Sequence, residues 1–521
     1  MKNGAQLLCD SLLSNGIDVC FANPGTSEMH FVAALDERPE MRCVLGLFEG
    51  VVTGAADGYA RMSGKPAATL LHLGPGMANG LANMHNAKRA QSPMVNIVGD
   101  HALYHLRYDA PLTSDIESLA HPMSDWVRRI LAPEDLAADI AAAIANSRRN
   151  QGQVSTLILP ADMAWADMPS GTEPIHVGDQ AQPVSVDMKK IRHAADVLRS
   201  GAKVDMILGG NALMGEALSL AGQIAQSYQV RLFSETSNKR IERGQGRTSV
   251  ERFPYDVDAA TKALQDCTNL ILIGAQNPVA FFAYPDRSSI FLPASAACLQ
   301  LVERHQDTLP ILQALADELN IRAQAPIYQI PQSAAPSPQS GTLCSQTLTR
   351  VVTELLPENA IVCDESISQG REFYLHSHQS APHDYLQLTG GAIGIGLPMA
   401  TGAAIACPDR KVITLQADGS AMFTLQALWT QAREQLDCIT IILSNRSYAT
   451  LFGEMKRMGI NHPSTNALNM FELQRPEIGW VDIAKGMGVP ARRVETIQDF
   501  RDALKTSIAS SGPVLIEAVI D

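Results

Sequence analysis

Short runs of aliphatic and β-branched residues recur along the chain, each followed by a longer stretch whose apolar positions repeat at helical spacing. That alternation predicts parallel sheets with crossover helices, because a strand covered on both faces has no polar side to show. The runs fall at 18–21, 43–48, 67–72, 94–98 and 155–159, then at 204–210, 230–233 and 269–274, and finally at 361–363, 411–416, 438–443 and 514–518. Two stretches rich in Pro, Gly, Gln and Ser, 168–184 and 324–341, break the pattern and read as linkers, since proline continues neither a helix nor a central strand. The expected architecture is α/β, with three doubly wound parallel-sheet domains at residues 1–168, 185–322 and 342–521.

Composition narrows the class. A chain of 521 residues with 46% hydrophobic content can fill a core in each domain. Its 41 Lys and Arg against 54 Asp and Glu give a net charge of −13, with no basic run for a polyanion, so nucleic acid is not an expected partner. Nine cysteines, without a Cys-x-x-Cys pair, read as reduced, mostly buried thiols of a cytoplasmic protein. The N-terminus carries polar residues where a signal peptide would be apolar, and the longest apolar stretches are too short and too interrupted to span a bilayer.

Chemistry concentrates where apolar runs end. After 411–416 comes Ala417-Asp418-Gly419-Ser420, and after 438–443 comes Ser444-Asn445-Arg446-Ser447-Tyr448. An Asp carboxylate, an Asn side-chain oxygen and a nearby carbonyl, that of Ser447, are hard ligands suited to Mg²⁺, which keeps water and takes phosphate oxygens. Open α/β sheets bind ligands beyond the C-terminal ends of their strands. Asp418 by itself reads as a surface residue of an ordinary strand-turn-helix. In the front third, Phe48-Glu49-Gly50 leads into a Gly- and Ala-rich helix ending Gly58-Tyr59-Ala60-Arg61. Glu49 by itself is a residue favoured at a helix N-terminus.

Together, and in this order, the segments resemble the fingerprints of the thiamine-diphosphate enzyme family, Gly-Asp-Gly followed by Asn-Asn, with Ala417 and Ser444 replacing the first residue of each. Neither replaced position is a metal ligand in that family. The resemblance covers the whole chain and implies a pyrimidine-binding, a central and a diphosphate-binding domain. It further implies a homodimer or homotetramer whose thiamine diphosphate lies between the first domain of one subunit and the third of its partner. Glu49 then hydrogen-bonds the aminopyrimidine ring so that the cofactor acts as its own base. Asp418, Asn445 and the Ser447 carbonyl hold Mg²⁺, with Gly419 and Tyr448 beside them. Ser366, Ser368 and Ser420 become candidate phosphate contacts, although Asp364 and Ser366 also read as helix caps. In Gly390-Gly391-Ala392-Ile393-Gly394, Gly391 offers a carbonyl to the pyrimidine and Ile393 the apolar wedge; a Gly-rich loop feeding a helix is the other reading. Gly209-Gly210-Asn211 is too weak a glycine signal for a nucleotide, and FAD is not expected.

Within the family the chain most resembles benzoylformate decarboxylase and the acetolactate-synthase-like proteins. Thr26 keeps a hydroxyl where the decarboxylase has a substrate-contacting Ser, and His72 matches its first active-site His, as an acid/base or else as a buried structural imidazole. The second His has no counterpart, since 279–284 carries aromatic residues, and Pro111-Leu112 replaces the Phe-Gln typical of acetohydroxyacid synthases. His101 and His105 serve either the substrate or a loop surface. The expected function is decarboxylation of a 2-oxo acid, with carboligation as a companion activity. An acetolactate synthase and a non-catalytic regulatory subunit are the alternatives.

Overall fold

Each aliphatic run forms a strand of a parallel sheet in the computed structural model, which describes residues 2–178, 185–321 and 339–520. The first sheet has the order Arg42–Leu45, Val19–Ala22, Ala67–Leu71, Met94–Asp100, Val154–Pro160, Trp126–Arg129. The second runs Glu251–Arg252, Arg231–Ser234, Val204–Leu208, Asn269–Ile273, Ala297–Val302. The third contains Ala491–Val494, Val514–Val519, Cys438–Ser444, Val412–Ala417 and Ile361–Glu365, all parallel. The run at 43–48 is shorter than expected: its strand stops at Leu45, and Phe48 is the extended residue that caps the next helix.

The three sheets are distributed over two compact units. One comprises Met1–Gln180, Ser337–Glu372 and Leu388–Asp521; the other comprises Ala181–Pro336 and Phe373–Gln387. The division differs from the expected one in that Phe373–Gln387 of the last third groups with the unit that contains the central sheet. Its physical reason is local pairing. His383–Gln387 lies antiparallel to Ile241–Arg243, and the buried Arg243 guanidinium donates to Ser377 Oγ at 2.9 Å and to the Tyr374 carbonyl at 2.7 Å, 3.7 Å above the Tyr374 ring. The second linker, and 179–184 of the first, lie almost entirely outside the described residues. The earlier part of the first linker is not free: Asn15 accepts from the Val177 amide at 2.7 Å and donates to the Ile175 carbonyl at 3.1 Å.

Within the first unit, the helix Glu49–Ser63 packs directly on the helix Gly396–Ala406. Glycines allow backbone to touch backbone, for a Cβ on Gly58 would overlap the Met399 carbonyl and one on Gly402 the Ala55 carbonyl. Arg61 and Asp57, both fully buried, form a bidentate pair at 2.8 and 2.6 Å, and Arg61 also reaches Thr389 Oγ1 at 3.0 Å. Val51 joins Leu397, Ala421, Leu428, Ile442 and Trp480 in one apolar cluster. Front and back thirds of a single chain therefore share a core. All nine cysteines are free thiols, five of them buried. Among the described residues no helix is long and apolar enough to cross a membrane.

Candidate active site

Asp418 and Asn445 each follow the last residue of neighbouring parallel strands, Val412–Ala417 and Cys438–Ser444. Adjacent strand ends thus bring together two residues that are distant in sequence. Asp418 is buried, and its oxygens accept from the Gly419 amide at 2.7 Å and the Arg446 amide at 2.6 Å. Burial nevertheless pushes its carboxyl up to about 6, the penalty that a bound cation relieves. Arg446 adopts a left-handed φ of 56°, and Asn445 Oδ1 accepts from the Ser447 amide at 3.1 Å, turning the loop back on itself. A Cβ on Gly419 would lie 2.6 Å from the Tyr448 ring, so the glycine lets that ring close over the turn. With single carboxylate and amide oxygens plus a carbonyl, the donor set fits a cation that completes its shell with water and phosphate. Among the described residues no cluster of three His, Cys, Asp or Glu is placed to hold a metal, and this site needs only one of them.

The serines are more committed than expected. Ser420 Oγ donates to the Ala417 carbonyl at 3.2 Å while accepting from Gln416 at 2.7 Å, and Ser366 Oγ donates to Asp364 at 2.5 Å. Either hydroxyl must turn from its partner to reach a phosphate. Ser368 is half-buried and follows Ile367, which has a left-handed φ of 54°. Beside them, Gly391 is exposed with φ 80° and Ile393 half-buried. Their loop is gripped by the helix Leu73–Ala90: Asn86 accepts from the Gly390 and Ala392 amides and donates to the Ala392 carbonyl at 2.7 Å, His85 Nε2 lies 3.0 Å from the Gly390 carbonyl, and Asn83 bridges the Gly50 and Gly394 carbonyls.

Glu49 is the first residue of its helix and is buried, with Oε2 accepting from Asn79 at 3.0 Å. Across the same space stands His72, which follows the strand Ala67–Leu71. A Cβ on Gly76 would lie 2.9 Å from Glu49 Oε1 and 3.2 Å from His72 Cβ, so that glycine keeps the gap between the two open. Leu73, fully buried, takes a left-handed φ of 48°, a strained bend for a bulky residue, and so turns the chain sharply from His72 into its helix. His72 Nδ1 sits 2.8 Å from Glu28 Oε2, and Glu28 also takes the Gly25 amide at 2.8 Å and Ser27 Oγ at 2.5 Å. A carboxylate only accepts, so Nδ1 carries the proton and Nε2 is left as the basic nitrogen. Thr26 is exposed on the same 3₁₀ turn, Thr26–Glu28.

Motif reading missed Glu28 as the partner of His72; only its proximity in sequence to Thr26 pointed to it. His101, by contrast, joins the group. It follows the strand Met94–Asp100, which neighbours Ala67–Leu71, and its ring lies 5.5 Å from that of His105. Burial chiefly, then the charges of His105 and His72, hold its imidazole below the usual range. Its Nε2 has no hydrogen-bond partner among the described residues, nor have Thr113 Oγ1 and Ser114 Oγ. In the second unit, Gly209 serves close strand-end packing, since a Cβ there would lie 2.5 Å from the Gly274 carbonyl, and Gly210 takes a left-handed φ of 53°. Phe281 and Phe282 are more than half exposed.

These features can be set beside known proteins. The model described as thiamine pyrophosphate enzyme, N-terminal TPP binding domain, matches residues 2–121, and the C-terminal TPP binding domain of the same family matches 371–518. The chain is 49% identical over 521 residues, 99% of either protein, to IlvX of Mycobacterium tuberculosis, whose name assigns it provisionally as an acetolactate synthase large subunit. It is 29% identical to the benzoylformate decarboxylase of Pseudomonas aeruginosa, over 99% of this chain and 98% of the relative. The thiamine diphosphate-dependent 4-hydroxybenzoylformate decarboxylase of Rhodococcus jostii RHA1 superposes over the full length of both chains with a TM-score of 0.86 and 25% identity. The chain belongs to the thiamine pyrophosphate enzyme family, and within it to the acetolactate synthase and benzoylformate decarboxylase type.

Proposed function

We propose that the protein is a Mg²⁺-dependent 2-oxo acid decarboxylase, with carboligation as a companion activity, whose sites are completed between two copies of the chain. When bound, thiamine diphosphate supplies the nucleophilic carbon and the electron sink for loss of CO₂. Asp418, Asn445 and the Ser447 carbonyl hold the metal, and Gly419 makes room for Tyr448 over the diphosphate. Glu49 takes the aminopyrimidine, Gly391 and Ile393 fix the cofactor's bend, and Ser366, Ser368 and Ser420 offer hydroxyls. Thr26 binds the substrate carboxylate and His72 Nε2 moves a proton at the reacting carbon. The observation that carries decarboxylation is the His72–Glu28 pair at 2.8 Å: an imidazole with a fixed tautomer, facing Glu49 across the gap at Gly76.

A second reading, an acetolactate synthase-type carboligase, is favoured by the name of the relative at 49% identity. CO₂ release and a coupled aldehyde assay on pyruvate, branched, aromatic, sulfonated and phosphonated 2-oxo acids test the first reading. Acetolactate as the sole product, from pyruvate alone, would replace it with the second. Glu49→Gln should keep cofactor binding while turnover falls by roughly a hundredfold or more; unchanged turnover removes the role given to Glu49. EDTA should strip both cofactor and activity, and Mg²⁺ should restore them.

A further inference from the structure

Glu365 closes the strand Ile361–Glu365 and is 1% exposed. A carboxylate so deep normally faces a cation, yet its described partners are three neutral donors. Gly394 donates its amide at 2.5 Å, Gly396 its amide at 2.6 Å and Gln416 its Nε2 at 3.1 Å. Gln416 donates as well to Ser420 Oγ, at 2.7 Å, two residues beyond Asp418. On the other side, the Gly394 carbonyl accepts from Thr424 Oγ1 at 2.8 Å and Asn83 Nδ2 at 3.2 Å. One buried side chain therefore joins two segments: the loop bearing Gly391 and Ile393, and the turn bearing Asp418 and Ser420.

We propose that Glu365 is a positioning residue, a clamp that keeps the pyrimidine-side and diphosphate-side contacts of one bound cofactor in register. The proposal rests on the assignment of those contacts above. Two parallel amide bonds to one carboxylate fix direction as well as distance, which a neutral side chain at this place cannot do, since an amide has only one acceptor oxygen. The clamp should also loosen with acid. Burial, with Asp364 beside it on the strand, raises the Glu365 carboxyl to about 7 against the pull of its three donors. Of the two strands that flank Ile361–Glu365 in its sheet, Val412–Ala417 brings the neutral Gln416 and His383–Gln387 carries His383 and Asp384, while the helix Gly396–Ala406 has no titratable side chain. As pH falls through that value, one oxygen gains a proton and one of the three donors loses its acceptor.

The experiment is cofactor affinity, read from quenching of tryptophan fluorescence by thiamine diphosphate at saturating Mg²⁺, at pH 8 and pH 6, in the full-length wild type, Glu365→Gln and Gln416→Met. Losing charge-assisted bonds should weaken Glu365→Gln binding by at least about tenfold at pH 8 and leave it nearly unchanged at pH 6 relative to wild type. Gln416→Met, which keeps both amide bonds, should lose less and retain the wild-type response to pH; it carries the test should Glu365→Gln not fold. Binding by Glu365→Gln within twofold of wild type at both pH values overturns the clamp and leaves the site assignment standing. A wild type that binds no cofactor at either pH overturns that assignment and the clamp with it.

Discussion

His72 Nδ1 and Glu28 Oε2 stand 2.8 Å apart, and the backbone is shaped around their contact: Gly25 has no side chain because a Cβ there would occupy the imidazole ring. In the proposed reaction Glu28 acts through His72. Glu28→Gln should therefore lower kcat by roughly ten- to a hundredfold, with cofactor affinity unchanged. The double variant with His72→Asn should be no slower than His72→Asn by itself, since residues acting as one unit are not additive. Costs that multiply in steady-state kinetics would separate the two residues.

Mixing inactive variants tests whether Glu49 and Asp418 meet across two chains. If they do, co-refolded Glu49→Gln and Asp418→Asn chains form hybrids in which one of two sites is intact, and about a quarter of wild-type activity returns by random pairing. If each site lies within one chain, mixing restores nothing.

The contact between the helices Glu49–Ser63 and Gly396–Ala406 is backbone against backbone. A methyl group at Gly402 would meet the Ala55 carbonyl and lie 2.6 Å from the Tyr59 amide. Gly402→Ala should cost about 2 kcal/mol or more, since overpacking of this kind forces the backbone apart. Urea denaturation measures it, and a loss under about 0.5 kcal/mol, the usual effect of a surface change, would place the contact elsewhere.

Stability at mildly acidic pH should depend on His383 in the second unit. Burial holds its imidazole down at about 4 from an ordinary 6.5. The unfolded chain takes the proton first, so stability from this group is present above pH 6.5 and is lost as pH falls toward 4. At pH 5 the loss is about 2 kcal/mol. Glu365, with its raised carboxyl, works in the opposite direction between 4.5 and 7. His383→Asn should lessen the fall in the urea midpoint between pH 7.5 and pH 5; an unaltered fall would assign the acid sensitivity to other groups.

Central strands were legible because both of their faces are covered, which writes an uninterrupted apolar run such as 438–443. Trp126–Arg129 and Ala491–Val494 escaped notice for the same physical reason. Both are edge strands, and Arg128, Arg129, Arg492 and Arg493 occupy positions that a central strand would fill with aliphatic side chains. At the candidate site, Glu49, Asp418 and Asn445 could be singled out from sequence because their neighbours are backbone-shaping residues in fixed order. Glu28, Asn86 and Glu365 were not, because what they do is set by partners some 30 to more than 300 residues away that only the folded sheets bring near.

Leu73 links reactivity to packing. A bulky residue held at φ 48° is strained by roughly 1–3 kcal/mol, and only its complete enclosure keeps it there. Replacement by glycine would relieve the torsion yet vacate a leucine-sized space in the core next to His72 in the chain, so attempts to toughen this protein for heat should leave Leu73 alone.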